Sequence, residues 1–285
     1  MTDALYDRDF VLIANDQRIA MRPEDDANAV KIMQRVAFTV SRSTDSSANS
    51  ASVSIWNLNK EHRSQLEEKQ PLVIEAGYTG TRQQIFSGDI TLVNSLHEGP
   101  DWITTLESGD GSEAMSAARI NLSFKSGVKI EKVLESVAKA MGVGLGNAIE
   151  KFTAGGFRGG IEKFTQGLTI KGRAKQQLDK FMKSAGFNWS IQDGELQVLK
   201  PDETMPRTAV YLSNENNGLI GSPELGDKGI VRARCLLRGN LQPGYLVKIK
   251  STQIDNGLFK ITSLTHSGDS MGTDWYTDIE GKPIE

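Results

Sequence analysis

The sequence predicts an α+β fold, mainly β, and three observations carry that reading. Residues 1–110 are short apolar runs and alternating stretches broken by turn residues, the mark of many short strands. Residues 113–200 change to helical spacing around one hairpin, and residues 206–285 return to alternation. Three domains follow, at 1–111, 112–205 and 206–285: a β-barrel, a small α+β unit and a second β-barrel.

In the first segment, residues 10–14 form an apolar run that ends at the turn pair Asn15-Asp16, which predicts a hairpin into Gln17, Arg18 and Ile19. Residues 36–40 alternate, with Phe38 and Val40 on one face, and residues 53–56 follow a loop rich in Ser, Asn and Ala. Residues 72–74, 90–93 and 102–106 complete about six strands, with turns expected at Gly80, Gly88 and Gly99. One short helix is expected over 60–69, capped by Asn59.

The middle segment places Ile130, Val133, Leu134, Val137 and Met141 on one helical stripe and ends that helix at Gly142. A second helix over 174–185 repeats the design with Leu178, Phe181 and Met182, and stops at Gly186. Asp193-Gly194 between alternating apolar residues predicts a tight hairpin over 188–199. Between the helices, Ile149-Glu-Lys-Phe-Thr recurs from Ile161, separated by a glycine-rich linker at 154–160. Two copies are too few for a solenoid, so the repeat is a local duplication lengthening a mobile loop.

In the last segment, Val231, Ala233, Cys235 and Leu237 alternate with Arg232, Arg234 and Leu236. Pro243-Gly244 turns into a strand over 245–250, and further strands are expected over 258–264 and 275–279.

Composition excludes several functions. The chain has 285 residues, 38% apolar and 24% charged, with a formal net charge of −3. No apolar run is long enough for a membrane span, and the first residues do not read as a signal peptide. Cys235 is alone, which rules out an internal disulfide and fits folding in a reducing cytoplasm. Charge is uneven: 10 Lys/Arg against 17 Asp/Glu in residues 1–110, 14 against 10 in 111–205, and 9 against 9 in 206–285. No clustered basic stripe suits phosphate binding.

Catalytic and metal patterns are lacking in the sequence. His62, His97 and His266 lie far apart without ligand spacing, so no metal and no cofactor are expected. The glycines at 142–146 and 155–160 match neither a dinucleotide nor a phosphate loop. Asp25-Asp26 and Glu67-Glu68 are adjacent pairs whose side chains diverge, and Gly268-Asp269 reads as a turn. Trp56, Trp102, Trp189 and Trp275 fall in expected strands, where packing outweighs base stacking.

Specific stretches then add a resemblance over nearly the whole chain. Residues 47–58, 73–78, 85–90 and 106–111, with 218–224, 231–237, 243–247, 266–269 and 274–276, resemble the tail-tube-fold baseplate hub family of contractile-tailed bacteriophages. The middle helix and hairpin, with residues 187–191 and 196–198, occupy the expected place between them. The resemblance implies a non-enzymatic virion protein with two tube-like domains per chain, assembled in the host cytoplasm as a homotrimer. That pseudo-sixfold ring would join a hexameric tail tube protein to a trimeric spike or tip protein and let DNA pass. Tape measure and baseplate wedge proteins are further partners, and no stable membrane binding is implied. The alternative is a tail-associated peptidoglycan hydrolase or a wall-binding tip protein. Within the hub reading, Asp7, Asp9, Glu24, Asp25, Asp26, Glu75 and Asp89 are candidate lumen-facing acids. Tyr211, Leu219, Ile220, Tyr245 and Tyr276 are candidate subunit contacts. Phe152, Phe157, Arg158 and Phe164 mark the candidate mobile partner loop, with the phenylalanines as exposed anchors.

Overall fold

The computed structural model describes residues 7–15, 17–20, 34–154, 164–215 and 217–284. Its elements run β1 Arg8–Ala14, β2 Gln17–Ala20, β3 Val36–Ser43, β4 Asn49–Trp56, α1 Lys60–Ser64, β5 Pro71–Tyr78, β6 Gln83–Glu98 and β7 Asp101–Asp110. Then come α2 Ser112–Ser116, β8 Arg119–Phe124, α3 Ile130–Met141, α4 Ala148–Ala154, β9 Leu168–Arg173, α5 Ala174–Ala185, β10 Asn188–Gln192 and β11 Glu195–Leu199. The chain finishes with β12 Val210–Ser213, β13 Leu219–Leu225, β14 Val231–Leu236, β15 Leu246–Lys250, β16 Gly257–Asp269 and β17 Trp275–Pro283. The chain divides into two compact units: Met1–Ser43 with Ser50–Gly109 and Met205–Glu285, and Thr44–Asn49 with Asp110–Thr204.

The first unit is one 13-stranded sheet that takes in both β segments. Setting aside β2, the first segment has the strand order β3-β4-β7-β6-β5-β1. The last segment has the order β13-β14-β17-β16-β15-β12, the same permutation. One difference is orientation: β1 lies antiparallel on β5, whereas β12 lies parallel on β15. The likeness extends to irregularities. The β6·β7 ladder shifts register between Ile90 and Leu92, and the β16·β17 ladder shifts between Ile261 and Ser263. The same corner is also closed twice, by Asn57 N–H donating to the Trp102 carbonyl at 2.7 Å and Leu237 N–H to the Trp275 carbonyl at 3.0 Å.

β16 joins the two segments. Residues 257–260 pair with β15, residues 263–269 pair antiparallel with β3, and β17 runs along the other side. Trp275 seals this junction. It is buried, packs edge-on against Phe38 at 5.6 Å, and donates its indole N–H to the Gly77 carbonyl at 3.1 Å. Burying so large a ring contributes roughly 2–3 kcal/mol or more, and its polar N–H is satisfied at the same time. Each β segment has its own apolar cluster, but Leu237 and Trp275 of the last segment belong to that of the first.

The second unit carries the two expected helices. α3 buries Ile130, Val133, Leu134, Val137 and Met141, and α5 buries Leu178 and Met182. Gly142 and Gly186 end them in the left-handed conformation that glycine adopts without strain. The hairpin β10·β11 turns at Asp193 and Gly194, both at positive φ, as a tight hairpin with right-handed twist requires.

Several expectations are corrected. The helix capped by Asn59 ends at Ser64, not residue 69; Asn59 Oδ1 accepts from His62 N–H at 2.7 Å as expected. Gly88 makes no turn: it lies inside β6, where a Cβ would come within 2.9 Å of the Gly109 backbone. Gly268 is no turn residue either. It lies inside β16, and its missing side chain makes room for the ring of Phe38, which a Cβ would meet at 2.3 Å. Both glycines permit close approach rather than reversal of the chain.

Candidate functional site

Alternation along the paired strands gives the sheet of the first unit two different faces. The inner one holds the apolar clusters. On the other lie Thr39 and Ser41 of β3, Ser50, Ser52 and Ser54 of β4, and Ser263, Thr265 and Ser267 of β16, all exposed or half-buried. Cross-strand register sets them side by side: Ser41 faces Thr265 on one side and Ser50 on the other. Their hydroxyls interact, with Ser41 Oγ 3.4 Å from Thr265 Oγ1 and Ser52 donating to Glu107 Oε1 at 2.8 Å. On the β14·β17 side the charges are balanced in cross-strand pairs, Arg234 with Asp278 at 2.7 Å and Arg232 with Glu280 at 3.0 Å. Across β3, β4 and β16 this face is thus rich in short hydroxyl side chains, and on the β14·β17 side its charges are paired.

Besides the terminal strands β2 and β12, two stretches of edge in this sheet are open among the described residues. β6 pairs with β5 only over residues 83–89, and no strand pairs residues 90–98 on that side. β13 ends the sheet, its outer edge likewise without a strand. Leu92 (48% exposed) and Leu96 (61%) lie on the first edge, and Leu225 (54%) on the second.

The junction between segments is held by ions. Arg35 reaches Asp269 at 2.7 Å, and Arg8 donates to the carbonyls of Gly272 at 2.7 Å and Thr273 at 2.9 Å. Burial pushes the Asp269 carboxyl up, but hydrogen bonds from Arg35 and the amides of Met271 and Gly272 outweigh it and hold the group below its ordinary range. In the same strand His266 is fully buried, with Nδ1 2.8 Å from Thr277 Oγ1. Desolvation, aided by the nearby Arg42 charge, brings its pKa down to about 3, so the imidazole is neutral. Cys235 is buried and its thiol is pushed up to about 12, which makes it an inert core residue.

In the second unit, the Asp110 carboxylate binds the hairpin turn, accepting from Asp193 N–H at 2.6 Å and Gly194 N–H at 2.9 Å. Burial pushes its pKa up against these hydrogen bonds. Asn49 adds donations to the Ile191 carbonyl at 2.8 Å and to Gln192 Oε1 at 3.0 Å. A cavity of about 600 Å³ lies beside α5, with Asp45, Asp179, Lys183 and Trp189 in its lining. Asp179 is engaged there, accepting from the Trp189 indole N–H at 2.9 Å. Among the described residues no group of three or more His, Cys, Asp or Glu could hold a metal.

The expected site residues fall in varied places. Of the candidate lumen acids, Asp9 is buried and Arg82 bridges it at 2.6 Å and Glu75 at 3.1 Å, so neither is an unpaired surface carboxylate. Asp7 and Asp89 are exposed, while Glu24, Asp25 and Asp26 lie outside the described residues. Of the candidate contacts, Leu219 and Tyr245 are core residues of the last segment. Tyr211, Ile220 and Tyr276 are half-buried, with Arg234 5.4 Å over the Tyr276 ring. Phe152 and Phe164 are not exposed anchors. Phe152 is buried in α4, 5.0 Å from Phe187 and 5.6 Å from Phe181, and Phe164 packs against the same cluster. Phe157, Arg158 and the linker from 155 lie outside the described residues. The open edges of β6 and β13 were missed in the sequence, where only the exposed leucines of residues 92, 96 and 225 could have signalled them.

Residues 13–281 match the family model described as Baseplate hub gp41. No curated protein matches in sequence. Among solved structures, the chain resembles the 43 kDa tail protein of prophage MuSo2 from Shewanella oneidensis, at a TM-score of 0.67 and 11% identity, covering 98% of both chains. A tail protein from Neisseria meningitidis MC58 matches at a TM-score of 0.64 and 10% identity over 97% of both. The E. coli c3393 protein, a component of the type VI secretion system, matches at 0.55 and 10% identity, over 90% of this chain and 76% of that one. At such identities these likenesses show a shared fold.

Proposed function

The chain belongs to the baseplate hub gp41 family, and from that membership we propose that it forms a homotrimeric, pseudo-sixfold ring in the phage tail. The ring adapts a hexameric tail tube to a trimeric spike or tip and lets DNA pass. The observation that carries this reading is the strand order repeated between the two β segments. Three chains that each present two like segments offer six like positions, so one ring can face sixfold symmetry on one side and threefold on the other.

The hydroxyl-rich sheet face supports a role in DNA passage. A passing phosphate backbone binds where unpaired Lys or Arg side chains displace its condensed counterions, and on this face Arg234 and Arg232 are already paired with Asp278 and Glu280. Of the candidate lumen acids among the described residues, Asp7 and Asp89 are the exposed ones, and Arg82 neutralises Asp9 and Glu75. Tail tube and tip proteins are the direct partners, with tape measure and wedge proteins around them. Assembly takes place in the host cytoplasm, and the role is structural, without catalysis. Light scattering on the purified chain together with the tail tube protein tests the ring. A particle of about 94 kDa, three times 31.2 kDa, with a central hole in electron micrographs, is expected for the hub itself. A chain that stays monomeric with and without the tube protein overturns it.

A further inference from the structure

We propose that the outer edge of β13 in one copy of the chain adds, antiparallel, to the free outer half of β6 in the next copy. The contact repeats between chains the β3·β16 junction that each chain makes within itself. It rests on the ring reading above and supplies the surface that closes the ring.

The repeated strand order predicts the partners before any side chain is considered. Within the chain, β3 pairs with the outer half of β16. The counterpart of β16 is β6, and the counterpart of β3 is β13. Among the described residues both counterparts have an open edge, the outer half of β6 and the outer side of β13, and the other unpaired edges of the sheet, those of β2 and β12, have no place in this correspondence. A head-to-tail contact of this kind propagates from copy to copy. Alternating with the internal junction, it gives six junctions in three chains.

Register follows from the shared irregularities. Aligning the two shifts sets Ile90 with Ile261 and Leu92 with Ser263, hence Leu96 with Ser267 and Glu98 with Asp269. On the other edge, Leu219 opposite Cys235 corresponds to Val36 opposite Ile55. Beyond the irregularity of β13, Glu224 opposite Arg232 corresponds to Thr39 opposite Ser52. Arg232 binds Glu280 as Ser52 binds Glu107, and those two acids hold the same place in their ladders. Transferring the internal pairs Thr39 with Ser267 and Val40 with His266 places Glu224 opposite Leu96, and Leu225 opposite Ser95, of the next copy. Gly221, Ser222 and Pro223 stand opposite the single Ala233, so the proline falls in the irregular stretch rather than in the new ladder.

The side chains fit an edge that is covered in the assembly. Solitary edges are ordinarily protected by lysines, prolines or brevity, because unpaired N–H and C=O groups recruit other strands. Here the outer half of β6 carries no lysine and exposes Leu92 and Leu96, and β13 exposes Leu225. Pairing brings Leu225 to the place that buried Val40 holds in the internal junction, sets Leu96 beside Glu224, and satisfies both rows of backbone groups.

A double variant of the full chain, Glu224→Cys with Leu96→Cys, tests the register, since opposed residues in a ladder lie within disulfide reach. Both positions are exposed, and the native Cys235 is buried. Under mild oxidation a non-reducing gel is expected to show a ladder ending at a covalent trimer that reductant collapses. Glu224→Cys with Leu92→Cys, displaced by roughly 13 Å along the strand, is expected to cross-link about tenfold less. As a second measurement, Leu225→Lys is expected to lower the trimer fraction about tenfold at fixed concentration, with thermal unfolding of the chain unchanged. A particle of trimer mass with no 224–96 cross-link, or with equal cross-linking of the displaced pair, overturns the edge contact and leaves the ring standing. A chain that neither cross-links nor associates overturns both.

Discussion

Trp102 and Trp275 occupy the same corner of the two β segments, each accepting a main-chain hydrogen bond at its carbonyl, yet Trp275 is 1% exposed and Trp102 is 40% exposed. The difference lies in what covers them. Trp275 sits under Phe38 of β3, whereas Trp102 carries His97 at 5.2 Å and the Arg63 guanidinium at 4.0 Å, a half-wet stack. Trp275→Ala is therefore expected to cost roughly 3–5 kcal/mol in denaturant unfolding. Trp102→Ala is expected to cost no more than about 1 kcal/mol and to act on association, read by light scattering at the same concentration.

Gly268 and Phe38 form a matched pair across the junction. A methyl group at 268 collides with the Phe38 ring, so Gly268→Ala is expected to destabilise by about 1–3 kcal/mol. Phe38→Leu alone loses packing against Trp275. In the double variant the loss is expected to fall short of the sum by more than about 0.5 kcal/mol, a coupling measurable by a double-mutant cycle. Strict additivity would mean that the ring moves away at no cost.

Acid should loosen the first unit through His266. Its folded pKa of about 3 lies below the unfolded value, so its contribution is full above pH ~6.5 and is lost as pH falls towards 3. Asp269, also depressed, adds a loss in the acid range below pH ~4. Replacing His266 by Leu is expected to flatten the pH dependence of unfolding between those limits, whatever it does to stability at neutral pH. An unchanged slope would show that the imidazole does not titrate with unfolding.

Asp110 has the opposite sign. Burial raises its folded pKa, so its contribution is greatest below the unfolded value near 3.9 and declines as pH rises through the raised one. Asp110→Ala removes the acceptor for two turn amides and is expected to cost about 1–3 kcal/mol, with protease cleavage appearing near Gly194. Asp110→Asn, which keeps one acceptor, is expected to cost less and to abolish this part of the pH dependence.

What could be read in the sequence was local. Ile130–Met141, Ala174–Ala185 and the Asp193-Gly194 hairpin are governed by spacing, a glycine stop and turn chemistry within a dozen residues, and all three formed as expected. Pairings across the chain left no such trace. Asp9 looked like a free surface acid because its partner Arg82 is 73 residues away. Phe152 was read as an exposed anchor because of the glycines after it, while Phe181 and Phe187, which bury it, lie in α5 and just beyond. The outer half of β6 extends well past the four residues expected as a strand, because a stretch with no buried residue on either face need not alternate in hydrophobicity.

The β3·β16 pairing also sets a timetable for synthesis. Ala37 lies against Asp269 and Ser43 against Ser263, partners more than two hundred residues apart. A ribosome adding roughly 5–20 residues per second completes β3 some ten seconds or more before β16 emerges. Through that interval the nascent chain carries β3 without its outer neighbour and a core without Trp275. Such late, long-range closure makes folding slow, and it leaves translation as the stage at which the chain is most exposed to mispairing with a sister chain on the same messenger.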